Sequence, residues 1–148
     1  MRLSRESHYG LLALVHLANA GAGTILQAAE LARQLRLSPS FLAKVVQKLA
    51  AAGILRSYRG RVRGYALAGP ASAVSARAVI EAIDPEVFTN CVFSSDRCSE
   101  LRPCLLHPVW KTVRPQVSEL LANVSVADLA RGRQLSILLP RLELVPGP

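Results

Sequence analysis

The chain has 148 residues, a formal net charge of +8, 51% hydrophobic residues and 5% aromatic residues. This length supports a core without disulfide crosslinks, and the apolar content argues against a chain that is disordered throughout. No apolar run is long enough to span a bilayer, and many Ala and Leu with few aromatic residues favour helices over sheets.

The positive charge is concentrated in one half of the chain. Residues 1–70 contain ten Lys or Arg and two acidic residues, whereas residues 71–148 contain eight of each kind. A one-sided basic balance indicates that an anionic polymer or a membrane surface is the partner.

The N-terminus has some features of a secretory signal. Arg2 and Arg5 precede the apolar stretch 9–18, which is followed by Ala-Asn-Ala. Because His16 and Glu6 interrupt this pattern, we expect a cytoplasmic protein with reduced thiols. The odd number of cysteines also argues against a disulfide framework.

Two helices are predicted within the first 35 residues. Ser4 can cap the first helix, whose apolar residues recur at helical spacing. The second is expected at about residues 27–35. Thr24 either forms a capping box with Gln27 or begins a short strand that ends at Leu26, and the sequence does not decide between these two.

The third helix has the clearest boundaries. Ser38 is a good N-cap, Pro39 suits the first helical position, and Gly53 suits the position after the end. Apolar residues at i, i+3, i+4 and i+7 form one face, namely Leu42, Val45, Val46 and Leu49. The polar side presents Ser40, Lys44, Gln47 and Lys48.

A basic hairpin is predicted after the third helix. Residues 54–58 and 65–67 have strand composition, and the loop between them has two glycines and three arginines.

Helix, helix, turn, helix and basic hairpin is the order of a winged helix-turn-helix domain, here residues 1–70. Such a domain reads the major groove with a helix and contacts phosphates with its hairpin. Charge in a hairpin favours double-stranded DNA over a membrane. The expected DNA contacts are Ser38, Ser40, Lys44, Gln47, Lys48, Arg59, Arg61 and Arg63.

Residues 71–104 combine a short helix near 76–83 with an irregular loop, residues 84–104, that contains all three cysteines. We name this segment the cysteine loop. Thiolates are ligands for iron–sulfur clusters and for zinc. The gaps between Cys91, Cys98 and Cys104 are wider than the short Cys pairs of structural zinc sites, which favours a cluster. Arg97 and Arg102 would lower thiol pKa values, so a thiol-redox switch without metal stays open, as do zinc and inert thiols.

A long helix is predicted at about residues 105–124. It has apolar residues at alternating spacings of four and three, the pattern of a helix that pairs with another helix, namely Leu106, Trp110, Val113, Val117, Leu120 and Val124. Pro115 should bend it. Ser125 and Asp128 resemble a capping box that opens a last short helix, which makes residues 105–130 the dimerisation unit. Residues 131–148 are expected to be a flexible tail.

The sequence lacks the common catalytic motifs. It contains no phosphate-binding glycine loop, no HExxH and no GxSxG, so an enzyme is not expected. An iron–sulfur electron carrier is an alternative interpretation of the cysteines, but it would have no use for a basic hairpin.

Taken in order, these motifs resemble the Rrf2 family of bacterial transcriptional regulators, in particular the iron–sulfur regulators of the IscR and NsrR type. The similarity covers about residues 1–130 and is carried by segments 1–4, 38–42, 52–55, 59–65, 104–110 and 124–129. The family's usual wing glycines are replaced here at residues 61–63. The resemblance implies a homodimer that binds a roughly palindromic operator and senses redox, iron or nitric oxide state.

The same resemblance implies an iron–sulfur cluster held by Cys91, Cys98 and Cys104. The first gap is one residue longer than the commoner family spacing. Two histidines compete as the fourth ligand: His107, which matches the IscR-like pattern, and His8, where other members place a ligand from the partner subunit. We expect His107, and with it a [2Fe–2S] cluster rather than a [4Fe–4S] cluster.

Overall fold

The fold is a mostly α winged helix-turn-helix, as predicted. The computed structural model describes residues 3–93 and 96–132. In these residues the chain forms six α-helices and one two-stranded antiparallel sheet, in the order α1 (Arg5–Ala20), α2 (Ala28–Gln34), α3 (Pro39–Ala51), β1 (Leu55–Tyr58), β2 (Gly64–Leu67), α4 (Ala76–Ile83), α5 (His107–Ala122) and α6 (Val126–Ala130). A short 3₁₀ turn, Ala71–Ala73, precedes α4.

The first three helices enclose one apolar core. The side chain of Ser4 accepts a hydrogen bond from the Ser7 amide, and that of Ser38 accepts one from the Phe41 amide, so both predicted caps are confirmed. The apolar faces of these helices meet in a cluster of fully buried side chains that includes Leu14, Leu17, Leu31, Leu42, Val45, Val46 and Leu49. Removal of these apolar side chains from water stabilises the domain through the hydrophobic effect.

The structure shows neither of the two alternatives for Thr24: no capping box opens α2, and the segment before it contains a single isolated β-bridge at Leu26 rather than a strand. The Thr24 hydroxyl donates to the Ala20 carbonyl, and Gln27 is the N-cap of α2 without a side-chain cap hydrogen bond. Leu26 instead pairs with Tyr65 through two backbone hydrogen bonds of 3.0 and 2.8 Å. A Cβ on Gly64 would lie 2.5 Å from the Leu26 carbonyl oxygen, and φ there is +149°, so this close pairing requires glycine.

The two strands and the loop that joins them, residues 55–67, form the wing. Its register pairs Leu55 with Leu67 and Tyr58 with Gly64. Leu55 and Ala66 are buried against the helical core, while the loop residues 59–63 are exposed. The base of the wing is therefore fixed and its tip is free to meet a partner.

The last helix ties the far end of α5 back to the first half of the chain. Ser125 and Asp128 form the predicted capping box of α6. The Ala76 amide donates to the Val124 carbonyl at 2.7 Å, and the Val126 amide donates to the Val74 carbonyl at 2.8 Å. Because Val126 is fully buried with α1 in the main core, α6 is part of the same folded unit.

Helix α5 is shorter than predicted and has an exposed apolar surface. It begins at His107 rather than Leu105, with Leu106 as its N-cap, and it continues through Pro115. It packs against α4. Leu106, Val109 and Val113 are exposed, whereas Val124, predicted at the end of the helix seam, is buried within its own chain. Of the predicted tail, residues 133–148 lie outside the described residues.

Candidate functional site

An open cleft separates α3 from the wing. Its volume is about 940 Å³, and its walls come from α2, α3 and both strands of the wing. Three of the predicted DNA contacts line it: Gln47 on α3, and Arg59 and Arg63 on the wing. The cleft is therefore lined by two arginines of the wing and by Gln47 of the helix predicted to read DNA.

The other predicted contacts lie near this cleft, but two of them, Ser38 and Lys48, already have hydrogen-bond partners within the chain. Ser40, Lys44 and Arg61 are exposed, the first two on the same face of α3 as Gln47 and the third near the tip of the wing. Ser38 is exposed, but its hydroxyl accepts the Phe41 amide 3.3 Å away. This hydroxyl is already used to cap the helix.

Lys48 is placed differently from Lys44. Its ammonium donates to the Glu6 carboxylate at 2.5 Å and to the Ile83 carbonyl at 3.3 Å. These partners belong to α1 and α4, so Lys48 links three helices, about 100° around α3 from Gln47. The sequence pattern assigned it to the polar face but could not reveal partners that are distant in sequence.

Sequence reasoning missed Gln27 and Tyr58, which also line the cleft. Gln27 is the exposed residue at the start of α2, and Tyr58 is the last residue of β1. Gln27 precedes α2 and Tyr58 ends β1, and both elements lie beside α3. A polar residue at such a boundary is the signal that could have identified them.

The three cysteines and His107 come together around a second cavity of about 320 Å³. Cys91 Sγ lies 3.8 Å from Cys104 Sγ, and Cys98 Sγ lies 3.2 Å from His107 Nδ1. None of the three cysteines forms a disulfide. The predicted ligands are thus gathered as two close pairs on the wall of one cavity.

Backbone contacts hold these pairs in position. The Cys91 amide donates to the Asp96 carbonyl at 2.8 Å, and the Cys98 amide donates to the Thr89 carbonyl at 2.9 Å. The His107 amide donates to the Cys104 carbonyl at 2.9 Å, which joins the loop to the first turn of α5. Arg97 and Arg102 also line the cavity, which adds positive charge near the thiols.

A carboxylate and an ammonium lie behind His107. The Nε2 atom of His107 is 3.3 Å from one oxygen of the Glu100 carboxylate, and the other oxygen accepts a hydrogen bond from Lys111. Lys111, and to a lesser degree His107, holds the pKa of the Glu100 carboxyl below its ordinary value.

His8 is exposed on α1 and packs edge-on against the ring of Tyr9. It does not line the cysteine cavity of its own chain as far as the described residues go. His107 is therefore the histidine that the structure brings to the cysteines within one chain.

The donors do not form a single-ion site. In residues 3–93 and 96–132, no group of three or more His, Cys, Asp or Glu is arranged to hold one metal ion. Within the same ranges, no helix has the length and apolar character needed to cross a membrane.

Comparison with known proteins agrees with this architecture. Residues 3–132 match the Rrf2 family model, described as an iron-dependent transcriptional regulator. A Mycobacterium tuberculosis protein whose name describes an HTH-type transcriptional regulator is 32% identical over 89% of this chain and 83% of its own length. IscR of Erwinia tasmaniensis is 26% identical over 95% of this chain and 86% of its own. The structure of CymR, the global cysteine regulator of B. subtilis, superposes with a TM-score of 0.73 at 25% identity, over 90% of this chain and 99% of that one.

Proposed function

Because this chain belongs to the Rrf2 family of transcriptional regulators, we propose that it is a homodimeric DNA-binding regulator that senses redox or iron state through a [2Fe–2S] cluster. The observation that carries the proposal is the gathering of three cysteines and one histidine around one cavity, in a chain that also has a basic winged helix. A DNA target implies that it acts in the cytoplasm.

The α3–wing cleft supports DNA as the partner. Gln47, Lys44 and Ser40 lie on one exposed face of α3, where a helix in the major groove meets base edges. Arg59, Arg61 and Arg63 extend from the wing and can contact phosphates or enter the minor groove. The proposed contacts thus divide into a base-reading helix and a positioning wing.

The donor geometry supports the cluster. Two thiolates on one tetrahedral metal at about 2.3 Å are about 3.8 Å apart, and Cys91 and Cys104 have this separation. Cys98 and His107 form the second pair. We therefore assign Cys91 and Cys104 to one iron and Cys98 and His107 to the other, which favours [2Fe–2S] over [4Fe–4S]. When bound, such a cluster supplies a reversible one-electron change and can be lost under oxidation.

Helix α5 supports the homodimer. Its exposed Leu106, Val109 and Val113 continue the apolar surface of Leu105, which is 96% exposed. Several large apolar side chains exposed within one short segment indicate an interaction site. A second copy of α5 would cover it, and because His107 opens this helix, the proposed cluster and the proposed interface share one element.

A thiol switch without a cluster is the second candidate, and one distance favours it. Cys91 Sγ and Cys104 Sγ are 3.8 Å apart, so a small closure would bring them to the bond length of about 2.05 Å. Oxidation would release two electrons and two protons to an oxidant such as a peroxide. Mass measurement of apo protein after peroxide treatment would detect a loss of two hydrogens, and peptide mapping would identify the pair.

Selection from random duplex DNA tests the regulator directly. We expect anaerobically purified full-length protein, with or without cluster, to enrich a roughly palindromic sequence in at least one of the two forms. Enrichment should be lost in a variant with Arg59, Arg61 and Arg63 all changed to Ala. Recovery of no shared sequence by either form would contradict the proposal.

A further inference from the structure

We infer that Glu100 is the positioning residue for His107: its carboxylate faces Nε2 and so directs Nδ1 toward Cys98 and the cavity. The inference rests on the proposed cluster, for which His107 would be a ligand. It adds an outer partner that the cysteine pattern does not contain.

The burial of His107 is the first observation. The residue is only 8% exposed, and its Nε2 atom is buried without an aligned hydrogen-bond partner. The Glu100 carboxylate oxygen lies 3.3 Å away. A buried ring nitrogen without a partner costs free energy, so a small movement that aligns this pair is favourable.

The two ring nitrogens therefore have different neighbours. Nδ1 is 3.2 Å from Cys98 Sγ, whereas Nε2 faces the carboxylate. An acceptor at Nε2 holds the proton on that atom and leaves the lone pair of Nδ1 available to a metal. Glu100 thus selects both the tautomer and the orientation of the imidazole.

Lys111 holds the carboxylate in place. It donates to Oε1 of Glu100, while His107 faces Oε2. Lys111 and His107 are four residues apart on α5, so one helical turn presents both to the same carboxylate. Glu100 itself is in the loop, which makes the contact a bridge between the loop and α5.

Such a carboxylate changes the ligand as well as its orientation. A hydrogen-bonded carboxylate raises the basicity of a ligating histidine, and loss of an outer partner typically weakens metal binding about 10- to 100-fold. A more basic ligand stabilises the oxidised cluster. Loss of the carboxylate should therefore speed cluster release and raise the reduction potential.

The test compares parent, Glu100→Gln and Glu100→Ala proteins, each reconstituted anaerobically as the full chain. The readouts are the rate of loss of visible absorbance in excess chelator and the reduction potential. We expect release about 10- to 100-fold faster in Glu100→Ala, with Glu100→Gln between it and the parent because an amide oxygen can still accept from Nε2. Both variants should have a higher potential than the parent.

Two controls separate positioning from general damage. Glu81→Gln removes a carboxylate paired with Arg77 on α4 and should behave as the parent. In a His107→Ala background, Glu100→Gln should add no further effect, because the residue through which it acts is gone. A parent that holds no iron overturns the proposed cluster together with this inference. A loaded parent matched by Glu100→Ala in release rate and potential, or an undiminished Glu100→Gln effect without His107, overturns the inference alone.

Discussion

The two regions of the chain differ in what holds them together. Residues 3–83 fold around fully buried Leu, Val and Ala side chains, and Ser4, Ser38 and Ser75 cap α1, α3 and α4. Residues 84–122 bury few side chains, among them Val87, Phe88 and His107, and expose Leu101 and Leu105 almost completely, at 93% and 96%. The first region is stabilised by its own core, whereas the second presents thiols, an imidazole and apolar surface.

This difference suits a sensor in which one region presents the DNA-binding surface and the other region responds to the signal. A region with a large buried core, which α6 completes through Val126, can present a fixed α3 and wing to DNA. A region with few buried side chains of its own changes conformation more readily when a partner binds, and in our proposal the partners are a cluster and a second chain. Since α6 connects the end of α5 to α1, a change in the second region can reach the first.

The largest expected effect is on the proposed interface of the second region. Val113→Glu would bring two carboxylates together in a dimer of α5 helices, which should cost several kcal/mol. We expect a monomer at micromolar concentration by light scattering. Val62→Glu is the matched control, because Val62 is equally apolar but exposed on the wing, and it should stay dimeric. A dimeric Val113→Glu protein would place the interface elsewhere.

A smaller effect is expected at the wing. Arg61→Ala should lower the slope of log affinity against log salt by about one unit, because one phosphate contact is lost. Arg77→Ala removes the same charge from α4, where Arg77 pairs with Glu81, and should leave the slope unchanged. Equal slopes for the parent, Arg61→Ala and Arg77→Ala would show that Arg61 does not contact DNA phosphates.

The smallest effects separate two lysines of α3. Lys48→Met should lower the free energy of unfolding by about 1 kcal/mol, since it breaks a partly exposed ion pair with Glu6 and a hydrogen bond to Ile83. Lys44→Met should leave stability unchanged and weaken DNA binding. Urea unfolding and DNA titration measure both. A loss of stability in Lys44→Met but not in Lys48→Met would contradict the structural role of Lys48.

Much of the first region could be predicted because its signals are local. Ser4, Ser38 and Ser75 cap the helices that they precede, and the apolar spacing of α3 gives its buried face. The pairing of Leu26 with Tyr65 could not be chosen from sequence, since a single bridge between residues far apart leaves no periodic pattern. The same reason hid the partners of Lys48.

The second region was predictable in composition but not in arrangement. The spacing of Cys91, Cys98 and Cys104 indicated a ligand set, and the resemblance added His107. Which thiols would be neighbours depends on how the loop folds back, as in the bridge between Asn90 and Arg97. Glu100 carried no signal, because its role comes from a contact with a buried ring rather than from a motif.

The most direct test of the account is the iron and acid-labile sulfide content, with the visible spectrum, of the full chain purified without oxygen. We predict a coloured protein with about two iron and two sulfide per chain. Cys91→Ser, Cys98→Ser and Cys104→Ser should each lose most of both, while Ser99→Ala, a change at the same cavity wall, should keep them. A colourless parent without iron would contradict the cluster, and four iron per chain would contradict the assignment of two donor pairs to two irons.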